Sequence, residues 1–192
     1  MAAQDRPDRY SPDRYSPDRY SGVAIWLHWT IALLIIVNLA VGLLHDAVPV
    51  LRSWMGAHQA LGLAILALTA ARIAWRLAHR PPPLPAATPV WERVLAHGSH
   101  TLLYVLMIGL PMTGWIMVSG GDRPGGVSIF GLFDVPHLPV SKATGHVGHD
   151  AHGILGWAML ALVVLHIGAA LRHHMLLRDT VLTRMIPVSR QR

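Results

Sequence analysis

Four stretches of the chain, residues 23–44, 56–77, 99–119 and 152–171, are almost free of charged side chains. A bilayer core of about 30 Å is crossed by about 20 helical residues at 1.5 Å rise each, and every stretch meets that length. Their apolar positions wrap right round instead of forming one stripe, the pattern of a helix that faces lipid as well as neighbours. Gly62, Gly109, Gly114, Gly156 and Gly168 recur along them and allow close helix approach. Pro111 should kink the third helix, which membrane helices tolerate. The pattern predicts an all-α fold, a transmembrane four-helix bundle.

The polar segments divide the rest. Residues 1–21 hold Arg-Pro-Asp-Arg-Tyr followed by two copies of Ser-Pro-Asp-Arg-Tyr, a balanced, proline-punctuated repeat expected to be a disordered tail. It has no basic stretch leading into a cleavage site, so a secretory signal is not expected. Residues 22–187 form the predicted membrane domain and 188–192 a short C-terminal tail. The Pro-rich stretch 81–89 reads as a linker, and residues 120–151 as the largest loop.

Composition agrees with lipid as solvent. Hydrophobic residues make up 53% and charged residues 14%, against about 25% in soluble domains; mean hydropathy is +0.41. Thirteen of the sixteen Lys and Arg fall in the N-terminal tail, the second connection and the C-terminal tail. The other two connections hold only Arg52, Arg123 and Lys142. The positive-inside rule then puts both termini in the cytoplasm. The formal charge of +6 lies at the ends of apolar runs, with no stripe interleaved by aromatics, so nucleic acid is not an expected partner. Tryptophans such as Trp26, Trp29, Trp54, Trp75 and Trp91 read as interfacial belt residues.

Cysteine is absent, which excludes disulfides, thiolate metal sites and covalent C-x-x-C-H haem attachment. Histidine, by contrast, occurs 13 times. An ionisable residue inside a membrane helix is a functional candidate because desolvating it is costly. His28 lies near the cytoplasmic end of the first helix, and His58 near the outer end of the second. On the fourth, His152 and His166 are separated by about 21 Å of rise and about 40° of rotation, so they share nearly one face. That matches His58 with His152 outside and His28 with His166 inside. Neutral imidazoles facing each other from two helices are what six-coordinate b-type haem iron requires. Histidines that only bond backbone or line a wet cavity are the plainer alternative.

Several motifs carry a resemblance across residues 20–187. They include Arg-Tyr-Ser-x4-Trp-Leu-His28-Trp, Gly-Ala-His58 leading to Arg72 and Arg76, and Ala-His97-x2-His100-x3-Tyr104 with Pro111-x2-Gly114. The closing segment Arg-His173-His174-x3-Arg-Asp-x-Val-Leu-x-Arg-Met-Ile-Pro187 completes the set. In these the chain resembles the bacterial, Ni-hydrogenase-type cytochrome b561 family. The resemblance implies two haem b groups, His28, His58, His152 and His166 as iron ligands, and the bacterial inner membrane as location. The family usually shows His-Glu at the start of helix four; here His149-Asp150 and His152-Gly153 compete, and His149 lies about 100° off the His166 face.

Arg72, level with the inner pair, is either a snorkelling anchor or a partner for a haem propionate. His97, His100, His173 and His174 cluster at the cytoplasmic side as interfacial residues or as a quinone pocket. His146, His149 and His152 at i, i+3, i+6 suggest a metal site only weakly. Arg123 and Lys142 would give the outer mouth a modest positive field to steer a small anion.

With no nucleotide motif, serine nucleophile or carboxylate pair, the chemistry should belong to the iron. The leading expectation is an oxidoreductase passing electrons from an outer-face one-electron donor to membrane quinone. The resemblance brings in superoxide as donor and ubiquinone as acceptor. The alternatives are a cytochrome b anchor subunit of a periplasmic dehydrogenase or hydrogenase, and a haem-free, histidine-lined metal or proton transporter.

Overall fold

Ser21 opens the first helix: its hydroxyl accepts from the Ala24 N–H at 3.3 Å, satisfying one of the donors a helix start leaves free. The same hydroxyl accepts from Trp75 Nε1 at 3.0 Å, so the cap also ties two helices together. The computed structural model describes residues 19–83, 88–122 and 125–187; residues 1–18 with most of the repeat, the centre of the Pro-rich linker, residues 123–124 and the last five residues lie outside the described residues.

Four long helices follow in order: α1 (Gly22–Leu44), α2 (Met55–Ala78), α3 (Val90–Ser119) and α4 (Lys142–Arg172). All four are long and apolar enough to cross a membrane. Two are longer than their apolar runs predict. α3 starts at Val90, directly after Pro89, and α4 starts at Lys142 with Ser141 as its cap. Polar turns outside hydrocarbon continue a helix readily once a cap or proline has set its first turn. Much of the expected outer loop is therefore helical, including His146 and His149. α3 also runs unbroken through Pro111.

The helices pack in chain order, α1 on α2, α2 on α3 and α3 on α4, with α1 and α4 closing the ring more sparsely. A small core sits at mid-height: Ile31 and Ile35 from α1, Ile65 from α2, Leu106 and Met107 from α3, and Met159 from α4. Elsewhere large apolar side chains point outward, such as Trp26 at 67%, Ile154 at 71% and Leu165 at 68% exposure. In water so much bare apolar surface would drive aggregation. In a bilayer it is the ordinary outer face.

Both described chain ends lie at one end of the bundle. Arg19 donates to the Ile186 carbonyl at 2.7 Å, and Trp29 Nε1 donates to the Met185 carbonyl at 2.6 Å. The opposite end carries an antiparallel hairpin, β1 (Gly126–Ile129) and β2 (Phe133–Pro136). Phe130 and Gly131 turn it with positive φ. Trp115 Nε1 donates to the Pro136 carbonyl at 3.2 Å and the Leu138 N–H to Ser119 Oγ at 2.9 Å, pinning the hairpin to α3.

Below that hairpin α3 and α4 touch backbone to backbone. A Cβ added at Gly120 would sit 2.5 Å from Gly145 Cα, and one added at Gly145 would sit 2.8 Å from Gly120 Cα. Gly145→Ala is expected to destabilise the bundle by about 1–3 kcal/mol through overpacking. Thermal unfolding in detergent checks this: the midpoint falls in Gly145→Ala and stays at the wild-type value in Gly22→Ala, where a Cβ meets nothing within 4 Å.

Candidate functional site

Four half-buried histidines meet in two couples. At the hairpin end, the rings of His58 on α2 and His152 on α4 have centroids 6.0 Å apart. Towards the chain termini, His28 on α1 and His166 on α4 stand at 6.2 Å. Two metal–nitrogen bonds of about 2.0–2.1 Å plus the offset from each nitrogen to its ring centre come to about 6 Å. The gaps thus suit one metal ion bound by both rings. His149, the rival candidate, has a side chain 72% exposed and sits 3.2 Å from Asp150.

The hairpin-end couple opens on a cavity of about 290 Å³ whose walls include Asn38, Gly42, Met107, Gly114 and Met159. The cavity lining is mainly apolar, yet Asn38 Oδ1 is buried there without a partner. A flat apolar group with iron at its centre fits this combination of facing imidazoles and hydrocarbon walls. Both rings are braced from behind. His58 Nδ1 donates to the Asn38 carbonyl at 3.1 Å and His152 Nδ1 to the Leu110 carbonyl at 2.9 Å. Thr113 Oγ1 lies 3.3 Å from His152 Nδ1.

The other couple has different company. His100 of α3 brings a third ring within 5.4 Å of His166. Arg72 turns inward, donating to the Ala24 carbonyl at 2.7 Å and to the Tyr104 hydroxyl at 3.1 Å, so it links α1, α2 and α3. Arg76 lies 6.0 Å from the centre of the Tyr104 ring. Among the described residues neither guanidinium pairs with a carboxylate.

The remaining sequence candidates separate. His97 faces outward, its Nδ1 donating to the Arg93 carbonyl at 2.7 Å, and His174 is exposed. His173 begins a π-helical turn, His173–Leu177, and meets the Asp179 carboxylate at 2.5 Å. The expected field at the outer mouth is partly cancelled, because Lys142 pairs with Asp122 at 2.6 Å and Arg52 with Asp46 at 4.0 Å. Arg123 lies outside the described residues. Among the described residues no group of three or more His, Asp or Glu could hold a free metal ion, so the His146, His149 and His152 spacing gathers no site. Sequence reasoning missed Gly42, Asn38, Leu110 and Thr113; a glycine one turn after each carbonyl was the available signal.

Comparison with known proteins decides the family. The model of the prokaryotic cytochrome b561 family matches residues 19–188. The chain belongs to that family. Cytochrome b561 homolog 2 of Escherichia coli is 29% identical, covering 97% of this chain and 95% of its own length. The probable superoxide oxidase CybB of Yersinia pestis is 34% identical over 88% of this chain and 97% of its own. Cytochrome b561 homolog 1 of Escherichia coli is 24% identical over 87% and 96%. The protein is thus a multi-pass membrane haem protein of electron transfer, and the haem-free transporter reading gives way.

Beyond the His28–His166 couple, the segment after α4, residues 173–187, depends on charge. Burial pushes the Asp179 carboxyl up, but the hydrogen bonds from His173 and from the Val181 N–H at 3.0 Å, with Arg184 nearby, hold it below its ordinary value of 3.8. A depressed carboxylate stabilises the fold above that ordinary value and ceases to do so as pH falls through the lower, folded one. Docking of residues 173–187, read by Trp29 fluorescence, is therefore expected to keep its full strength from neutral pH down to 3.8 and to weaken about two- to fivefold as pH falls further. In Asp179→Asn, hydrogen exchange at the Val181 amide should quicken about two- to fivefold at neutral pH, since screening leaves about 0.5–1 kcal/mol of the bond.

Proposed function

We propose that this cytochrome b561 holds two haem b groups, one between His58 and His152 and one between His28 and His166. In this reading it carries electrons from a one-electron donor at the hairpin end to quinone near the other. The single observation behind this is the pair of imidazole couples, 6.0 and 6.2 Å across, on opposite halves of one bundle. The concentration of Arg and Lys around both termini supports a cytoplasmic terminal end and a periplasmic hairpin end in the bacterial inner membrane. Similarity to a probable superoxide oxidase supports superoxide as the donor and ubiquinone as the acceptor.

Haem iron supplies one-electron ferric–ferrous cycling. The chain supplies the rest. His152 and His166 are about 21 Å apart along α4, so the two sites divide the bilayer between them. Each of two superoxide anions gives up one electron and leaves as O₂, while the quinone takes two electrons and two protons to become quinol. His100, beside His166 and near the terminal surface, is suited to bond a quinone carbonyl and to hand on a proton; His97, His173 and His174 lie farther out as relay or interfacial groups. Arg72 and Arg76, without carboxylate partners among the described residues, are suited to the haem propionates.

A cytochrome subunit anchoring a periplasmic dehydrogenase or hydrogenase is the second reading. The hairpin tip favours it, with Phe130, Leu132 and Phe133 at 59%, 80% and 61% exposure as an apolar contact for a partner. Co-purification with a cofactor-bearing partner would support this second role.

Dithionite-minus-air difference spectra test the leading proposal. His28→Ala and His58→Ala should each remove about half of the haem signal, leaving the other haem in place. Each should also cut superoxide-driven ubiquinone reduction to the level of a haem-free control. Retention of the full signal in both variants would mean that the ligands lie elsewhere.

A further inference from the structure

The two braced histidines of the hairpin end repeat one device. On α1 the Asn38 carbonyl accepts from His58, and on α3 the Leu110 carbonyl accepts from His152. Four residues after each carbonyl stands a glycine, Gly42 and Gly114. A helical side chain covers the turn on the N-terminal side of its own Cα, so a side chain at either position would lie across that carbonyl. The contacts agree. A Cβ at Gly42 would sit 2.8 Å from His58 Cε1, and one at Gly114 would sit 3.0 Å from His152 Cε1 and 3.1 Å from its Nδ1. The missing methyl groups are the space the rings occupy.

A carbonyl oxygen only accepts, so each Nδ1 must carry the proton, which leaves each Nε2 lone pair free. The inner couple lacks this bracing: among the described residues neither His28 nor His166 has a hydrogen-bond partner for its ring. A ligand imidazole that donates its second N–H to a carbonyl becomes more basic and favours the oxidised metal. Near the inner couple, by contrast, Arg72 bonds the Ala24 carbonyl one turn before His28, and a fixed cation favours the reduced state.

We propose that Gly42 and Gly114 are positioning residues: they open the Asn38 and Leu110 carbonyls to His58 and His152, fix both rings as Nε2 ligands, and set the hairpin-end haem at the lower potential of the two. The inference rests on the ligand assignment proposed above. It adds a direction, since electrons entering at the hairpin end then run downhill to the terminal end.

Spectroelectrochemical titration and EPR of the purified protein test it. In Gly42→Ala and Gly114→Ala the lower midpoint should rise by about a tenfold change in the oxidised-to-reduced ratio, about 59 mV for one electron. One low-spin ferric EPR signal should move with it, and the higher midpoint should stay. Gly109→Ala, where a Cβ makes only an ordinary 3.7 Å contact with Leu155, should leave both midpoints in place. Unchanged midpoints in both glycine variants, or a shift confined to the higher one, would overturn the proposal.

A second experiment leaves the glycines intact, so it stands even where their variants misfold. In His58→Gly, added imidazole should restore the lower midpoint, while N-methylimidazole, with no N–H for Asn38, should restore haem at a higher one. Equal midpoints with both ligands would overturn the bracing alone. Two haems retained in His58→Gly without added ligand would instead overturn the ligand assignment itself, and the inference with it.

Discussion

An imidazole inside hydrocarbon has two nitrogens to satisfy and no water to satisfy them with. The bundle answers that constraint at the hairpin end by giving one nitrogen of His58 and of His152 to a backbone carbonyl on the neighbouring helix. The two rings stand 6.0 Å apart, a gap that suits a metal. Most of the architecture serves this arrangement. α1 and α3 present the carbonyls, α2 and α4 present the rings, and the small core at mid-height keeps the two histidine levels apart.

The two ends of the bundle solve related problems with different chemistry. One is closed by a hairpin pinned to α3, with its rings locked and apolar walls around them. The other is rich in polar groups, where Arg72, Arg76, Tyr104 and His100 gather round a couple that no carbonyl braces among the described residues. An apolar end and a polar, protic end suit a carrier of electrons on one side and a reaction that also needs protons on the other.

Much of this was legible in the sequence. Four apolar runs gave four helices, since length and all-round hydropathy leave a membrane chain few other choices. The histidine couples followed from rise and rotation along α4, because 14 residues return almost to the same face. The bounds of α3 and α4 were not legible, for hydropathy marks where lipid ends and not where the helix does. Nor was the inward turn of Arg72: the same sequence position permits snorkelling, and only the Ala24 carbonyl and Tyr104 hydroxyl, from two other helices, decide it. The partial cancelling of the positive charge expected beside the hairpin was not legible either, because Asp122, distant in sequence, reaches Lys142.

The contacts of Trp29 and Arg19 with the Met185 and Ile186 carbonyls have a consequence for biogenesis. The first of the four helices is fastened by residues that follow the fourth. That end of α1 must wait, inserted but unfinished, until α4 has been made. Its completion thereby reports that all the later helices have already been threaded through the membrane.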